Sequence, residues 1–175
     1  MSRNERNRIQ PPEKLPEILQ ELRGLQTTIH TAGEEDYDYL EGESVCVEAE
    51  NPSGGEALYI DLGEDITLSF GDWQAFYEAE EEEYGLALRN LRDLLADRLY
   101  VVNVYCREDW ICSLTMEETP VRPDAVKKEI REFLHTADCD EFIRLIQEKG
   151  AGVHCLFWSK GKKNLRIRPG EFGRD

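Results

Sequence analysis

Long apolar runs are missing from this sequence. No stretch approaches the ~20 residues that a membrane-spanning helix needs. Residues 1–10 are polar, carry three arginines, and do not read as a signal peptide. Paired cysteines are missing as well. Cys46, Cys106, Cys112, Cys139 and Cys155 are odd in number, widely spaced and free of any C-x-x-C pair. A reduced cysteine among apolar neighbours behaves as a small hydrophobe. Reduced thiols without an export signal point to the cytoplasm.

Catalytic signatures are also lacking. There are three histidines, His30, His135 and His154, so few nucleophiles can have a base beside them. No G-x-S-x-G elbow, Walker loop, dinucleotide fingerprint or H-E-x-x-H occurs. His154 and Cys155 are neighbours in a predicted strand and point to opposite faces, so they cannot form a dyad with each other. His135 and Cys139 have loose metal-ligand spacing, but a structural zinc site needs about four ligands and no second pair lies nearby. No catalytic residue, metal or cofactor is therefore assigned.

Basic charge is in short supply: 21 Lys and Arg face 37 Asp and Glu, a formal net charge of −16. Such a field repels nucleic-acid phosphates and anionic membranes and attracts basic partners. With 175 residues, 40% hydrophobic and 33% charged, the chain is of globular composition and long enough for one well-buried domain.

The pattern along the chain predicts an α+β fold, a largely antiparallel sheet built from hairpins with about four helices packed on it. Residues 1–12 read as a flexible tail and residues 13–175 as a single domain. A short helix is expected at 16–24, from the spacing of Ile18, Leu19, Leu22 and Leu25. An acidic loop, 33–43, follows. Strands are expected at 44–50, 58–62 and 66–70. The last two form a hairpin that places Leu62 opposite Ile66, Ile60 opposite Leu68 and Leu58 opposite Phe70. Asp72 is a candidate cap for a long helix whose regular part spans 78–97, with Tyr84, Leu88, Leu91 and Leu95 on its buried stripe. A second hairpin, 99–106 and 110–116 around a three-residue loop, puts Val102, Val104, Cys106, Trp110, Cys112 and Leu114 on one face. Helices at 124–135 and 139–149 bury Val126, Ile130, Phe133, Leu134, Phe142, Ile143 and Ile146. A last hairpin joins 153–158 to 165–168 through a basic turn. From Lys160 onward six basic residues face two acidic ones; they are expected to pair with acidic elements of the same domain.

Two acidic patches lie beside aromatics, which suits a surface that holds a basic partner: carboxylates steer, and rigid rings anchor. Glu34, Glu35, Asp36 and Asp38 are interleaved with Tyr37 and Tyr39, while Glu80 and Glu81 follow Trp73. These nine residues are the candidate partner-binding set. The loop is the better candidate, because its tyrosines have no periodic core face to join. In the segment 70–77 a core plug between sheet and helix is the competing reading.

The stretch 57–118, with LYIDLGEDITLSF, FGDWQAFY, an acidic helix and VVNVYCREDWICSL, resembles small uncharacterised bacterial proteins, some of them immunity proteins of polymorphic toxin systems. Their aromatic segment tends to carry histidines, where Gln74 and Phe76 stand here. The resemblance implies an antitoxin-like inhibitor. The leading expectation is thus an acidic, cytoplasmic binding protein that neutralises a basic toxin, such as a nuclease, by occupying its cationic surface. The alternatives are a hydrolase-like enzyme whose site lacks a recognisable motif, which a deep pocket at His154 or Cys155 would favour, and a module that self-associates through an apolar second sheet face.

Overall fold

The computed structural model describes residues 7–117 and 120–172. It contains two antiparallel sheets and four α-helices, the α+β architecture that the hairpin pattern predicts. Contacts divide the chain into two compact units, residues up to Ala96 and residues from Asp97 on, where the sequence suggests one domain. No glycine- or proline-rich linker marks the division in the sequence. It falls in the turn after a helix, at Asp97, whose φ of 52° serves where a glycine or proline linker would have announced itself.

The first unit is a five-stranded meander: β1 (Thr27–Thr31), β2 (Val45–Ala49), β3 (Leu58–Leu62), β4 (Ile66–Phe70) and β5 (Trp73–Tyr77), paired in chain order. The β3–β4 register is the expected one, with Leu62 opposite Ile66, Ile60 opposite Leu68 and Leu58 opposite Phe70. Alternation puts Val47, Ala49, Ile60, Leu68 and Trp73 on one buried face. Helices α1 (Leu15–Glu21) and α2 (Glu81–Leu95) belong to the same unit, and α2 packs on β4 and β5. The Tyr84 hydroxyl of α2 donates to Glu17 at 2.9 Å and Arg92 donates to Glu21 at 2.8 Å, tying the two helices together.

Three expectations need correction here. Asp72 caps no helix. Gly71 and Asp72 form a two-residue hairpin loop, Gly71 supplying the positive φ (59°) such tight turns require, and residues 73–77 return as β5. The helix consequently begins at Glu81, with Tyr84, Ala87, Leu91 and Leu94 as its buried face. Residues 8–11 of the supposed tail are part of the fold. Residues 1–6 lie outside the described residues, but Arg8 bridges Glu80, the Ile9 amide donates to Ala79 at 2.9 Å, and Pro11 is buried at the start of a 3-10 turn. Finally, β1 was not anticipated, because Thr-Thr-Ile-His-Thr is an edge strand with one apolar residue and no alternation to betray it.

The second unit is a four-stranded sheet in the order β7-β6-β8-β9, from β6 (Tyr100–Cys106), β7 (Asp109–Met116), β8 (Ala151–Phe157) and β9 (Gly161–Ile167). Helices α3 (Pro123–Thr136) and α4 (Asp140–Lys149) complete it; Val126, Ile130, Leu134 and Ile146 join Val102, Val104, Val153 and Cys155 in one core. Phe142 and Ile143 pack against that core, whereas Phe133 is 40% exposed rather than buried. Gly150 ends α4 at a φ of 75°, and a Cβ there would stand 2.5 Å from the Ile167 carbonyl oxygen.

The β6–β7 turn differs from expectation in an instructive way. Its loop has two residues, Arg107 (φ 61°) and Glu108, so Trp110 faces Tyr105 and is 53% exposed. A bulge beside Val104 and Tyr105 then restores the predicted pairs Val104–Cys112 and Val102–Leu114, and Ile111 enters the core in place of Trp110. The predicted basic turn is the start of β9. Of its lysines, Lys160 lies 4.0 Å from the buried Asp97 carboxylate, and Lys163 donates to the Val121 carbonyl at 3.2 Å.

Candidate partner-binding face

The opposite face of the five-stranded sheet is polar. Period-2 alternation places His30, Cys46, Glu48, Tyr59, Asp61, Thr67, Ser69, Gln74 and Phe76 there. The long β1–β2 connection folds back onto this face through two contacts. At one, the Tyr37 ring stacks on His30, with centroids 3.8 Å apart and planes 10° from parallel. At the other, the Tyr39 hydroxyl donates to Asp61 at 2.9 Å.

His30 lies between two carboxylates. Its Nδ1 is 2.9 Å from Glu34 and its Nε2 is 2.9 Å from Glu48. Glu34 also accepts the Thr31 amide at 2.7 Å, which caps an outward N–H of the sheet edge. Desolvation, the largest single influence on His30, opposes its cation. The hydrogen bonds and charges of Glu34 and Glu48 together outweigh it, and the imidazole is held more basic than usual. The Glu34 carboxyl is lowered in turn, mainly by its bond to His30. Desolvation, followed by nearby anionic groups, pushes the Tyr37 phenol up to about 12, so it stays neutral. Cys46, the fully buried neighbour of His30 across the ladder, has its thiol pushed far above the reactive range by burial and then by Asp61.

Beside Tyr39 the polar face opens into a depression of about 1090 Å3. Its walls are Tyr39 to Gly42 on one side and the β3–β4 loop on another, with Phe76 and Gln74 across the floor from Tyr59. Four carboxylates line it, Glu41, Asp61, Glu64 and Asp65, and no described lining residue is basic. Phe76 is 72% exposed and Tyr39 is 56% exposed, so two rings at this depression are free to meet a partner.

The candidate residues divide accordingly. Glu35, Asp36 and Asp38 are exposed on the loop, and Tyr39 reaches the depression, while Glu34 and Tyr37 are engaged with His30. Trp73 is not an anchor. It is 7% exposed on the apolar face, where β5 alternation aims it, and Phe76 takes the exposed position instead. Glu80 is joined to Arg8 by backbone pairing before α2, and the Glu81 carboxylate lies 3.7 Å from Lys14, so this patch shares no partner with the loop among the described contacts. The nine-residue candidate set leaves out Phe76, Asp61, Glu64 and Asp65. The signal for Phe76 was available in the Trp73–Ala75–Tyr77 alternation, once that segment is read as a strand.

Charge sharpens the picture. Residues 24–88 contain 18 acidic side chains and neither lysine nor arginine, so His30 is the one side chain in that span able to carry positive charge. The first unit holds 23 acidic and 7 basic residues and the second 14 of each, so the entire net charge of −16 belongs to the first.

Other chemistry finds less support. Cys155 is fully buried, its thiol raised to about 11 by desolvation, and His154 packs beside the Tyr105 ring at 4.8 Å. His135 Nδ1 lies 2.9 Å from Asp140, and no group of three or more His, Cys, Asp or Glu suited to a metal occurs among the described residues. No described helix is long and apolar enough to cross a membrane. Comparison with family models, with curated proteins and with solved structures gave no match to this chain.

Proposed function

We propose that the first unit is a binding module for a basic protein, and that the chain acts as a cytoplasmic, stoichiometric inhibitor of immunity type. In this reading a cationic segment of a toxin, such as the substrate groove of a nuclease, meets the depression on the polar sheet face. The carboxylates of Glu41, Asp61, Glu64 and Asp65 supply long-range attraction, while Phe76 and Tyr39 supply desolvated contact. Glu35, Asp36 and Asp38 extend the field along the loop. The observation that carries the reading is the coincidence of two exposed rings with four carboxylates in a concavity whose described lining has no basic side chain.

The test compares two triple neutralisations on the full chain, with binding of an octa-arginine peptide and of a basic nuclease measured by calorimetry. Asp61→Asn, Glu64→Gln and Asp65→Asn together are expected to weaken binding at least tenfold, about 1.4 kcal/mol. Glu78→Gln, Glu81→Gln and Glu82→Gln remove the same charge elsewhere in the unit and should weaken it far less. Equal losses from both sets would reduce the interaction to bulk electrostatics and overturn the assigned site.

A further inference from the structure

The loop that walls the depression is fastened at one end by a histidine, and the arrangement around that histidine is complete enough to assign it a task. We infer that His30 is a proton-operated clasp: its imidazolium, between Glu34 and Glu48 and stacked on Tyr37, fastens residues 33–43 to the sheet and so fixes the Tyr39–Gly42 wall.

The geometry demands the cation. Both ring nitrogens face carboxylate oxygens at 2.9 Å, and a neutral imidazole has a single N–H to donate. Loss of the proton would turn one contact into a lone pair against an anion. The two carboxylates come from different elements, Glu48 from β2 and Glu34 from the loop, so the protonated ring joins what the neutral ring would let part. Tyr37 stacks face to face on the ring and favours its charged form. The remaining polar neighbours are Cys46, which is neutral, and Tyr59, whose hydroxyl lies 3.4 Å from Glu48 and supports the same carboxylate. With no lysine or arginine in residues 24–88, no other cation of that span can substitute.

The direction follows from linkage. A histidine whose folded pKa is raised contributes fully below its ordinary value of 6.5, and that contribution is lost as pH rises through the folded value. Glu34, lowered from 4.5, contributes above that value and loses its contribution as pH falls through the folded one. The clasp is therefore tightest between those two ordinary values and opens on the alkaline side first. Its consequence for partners rests on the binding reading above; the clasp itself does not.

The test uses the free, isotope-labelled full chain. His30 ring resonances and amide-exchange protection of residues 33–43, corrected for intrinsic exchange, are followed from about pH 5.5 to about pH 9 at fixed ionic strength. His30 should titrate above 6.5, and loop protection should fall across that same titration, tenfold for each unit of elevation. His30→Gln should flatten the profile, and His135→Gln should leave it intact. Titration of His30 at or below its ordinary value, or protection that stays constant across its titration, overturns the clasp. Octa-arginine plays no part in this readout: its failure to bind would sink the binding reading alone.

Discussion

The two halves of the chain are both antiparallel sheets with two helices, yet they differ sharply in charge. The second unit balances 14 acidic with 14 basic residues and places lysines where they meet oxygen, as at Asp97 and the Val121 carbonyl. The first carries all the excess, and its sheet is built in a span without lysine or arginine. In the binding reading proposed above, the acidity of the first unit serves contact with a basic partner, at a cost in self-repulsion.

The largest effects should come from the cores, where the units resemble each other. Ile60 in β3 and Ile130 in α3 are both fully buried, and truncation to alanine should cost about 2–5 kcal/mol in each case. Denaturant titration read through amide exchange of β3 and of β6 gives the two numbers separately. A much smaller loss at Ile60 would mean that the first sheet is poorly packed, and that its charge reflects a loose structure rather than a function.

A smaller effect should separate the units by sign. Screening relieves repulsion among like charges, so raising salt from about 0.05 M to about 0.5 M near pH 7 should stabilise the first unit by on the order of 1 kcal/mol. The second unit has no net charge to screen and should respond weakly or lose a little. Parallel responses in both sheets would break the electrostatic contrast.

How much of this was legible in the sequence depends on what each element offers the eye. The β3–β4 hairpin was readable to the residue, because six apolar positions alternate across a short loop. β1 was not, since edge strands bury little and Thr-Thr-Ile-His-Thr shows no pattern. β5 was obscured by Gly71-Asp72, which serves a helix cap or a tight hairpin equally well until strand pairing decides. In the β6–β7 turn, a two-residue loop and a bulge offset each other, so the distant pairs were right while Trp110 and Ile111 exchanged roles. The acidic loop was found from composition. Its attachment to His30, and the carboxylates of the β3–β4 region that share the depression, depend on contacts distant in sequence.

The smallest predicted change in stability is also the most discriminating. Phe76 is 72% exposed in a strand whose neighbours Trp73 and Tyr77 are buried. A phenylalanine kept at such a position adds apolar surface to an otherwise polar face and little to the core. Phe76→Ala should shift the unfolding free energy by no more than about 0.5 kcal/mol. The same change should weaken octa-arginine or nuclease binding by about 1–2 kcal/mol if the ring is desolvated on contact. Phe133, 40% exposed on α3 in the balanced unit, supplies the control: Phe133→Ala should leave that binding unchanged. A Phe76 variant that binds normally would strip the depression of its anchor and leave the carboxylates as a solvated surface. If it instead unfolds the sheet, the ring is structural, and the contrast between the two units rests on charge alone.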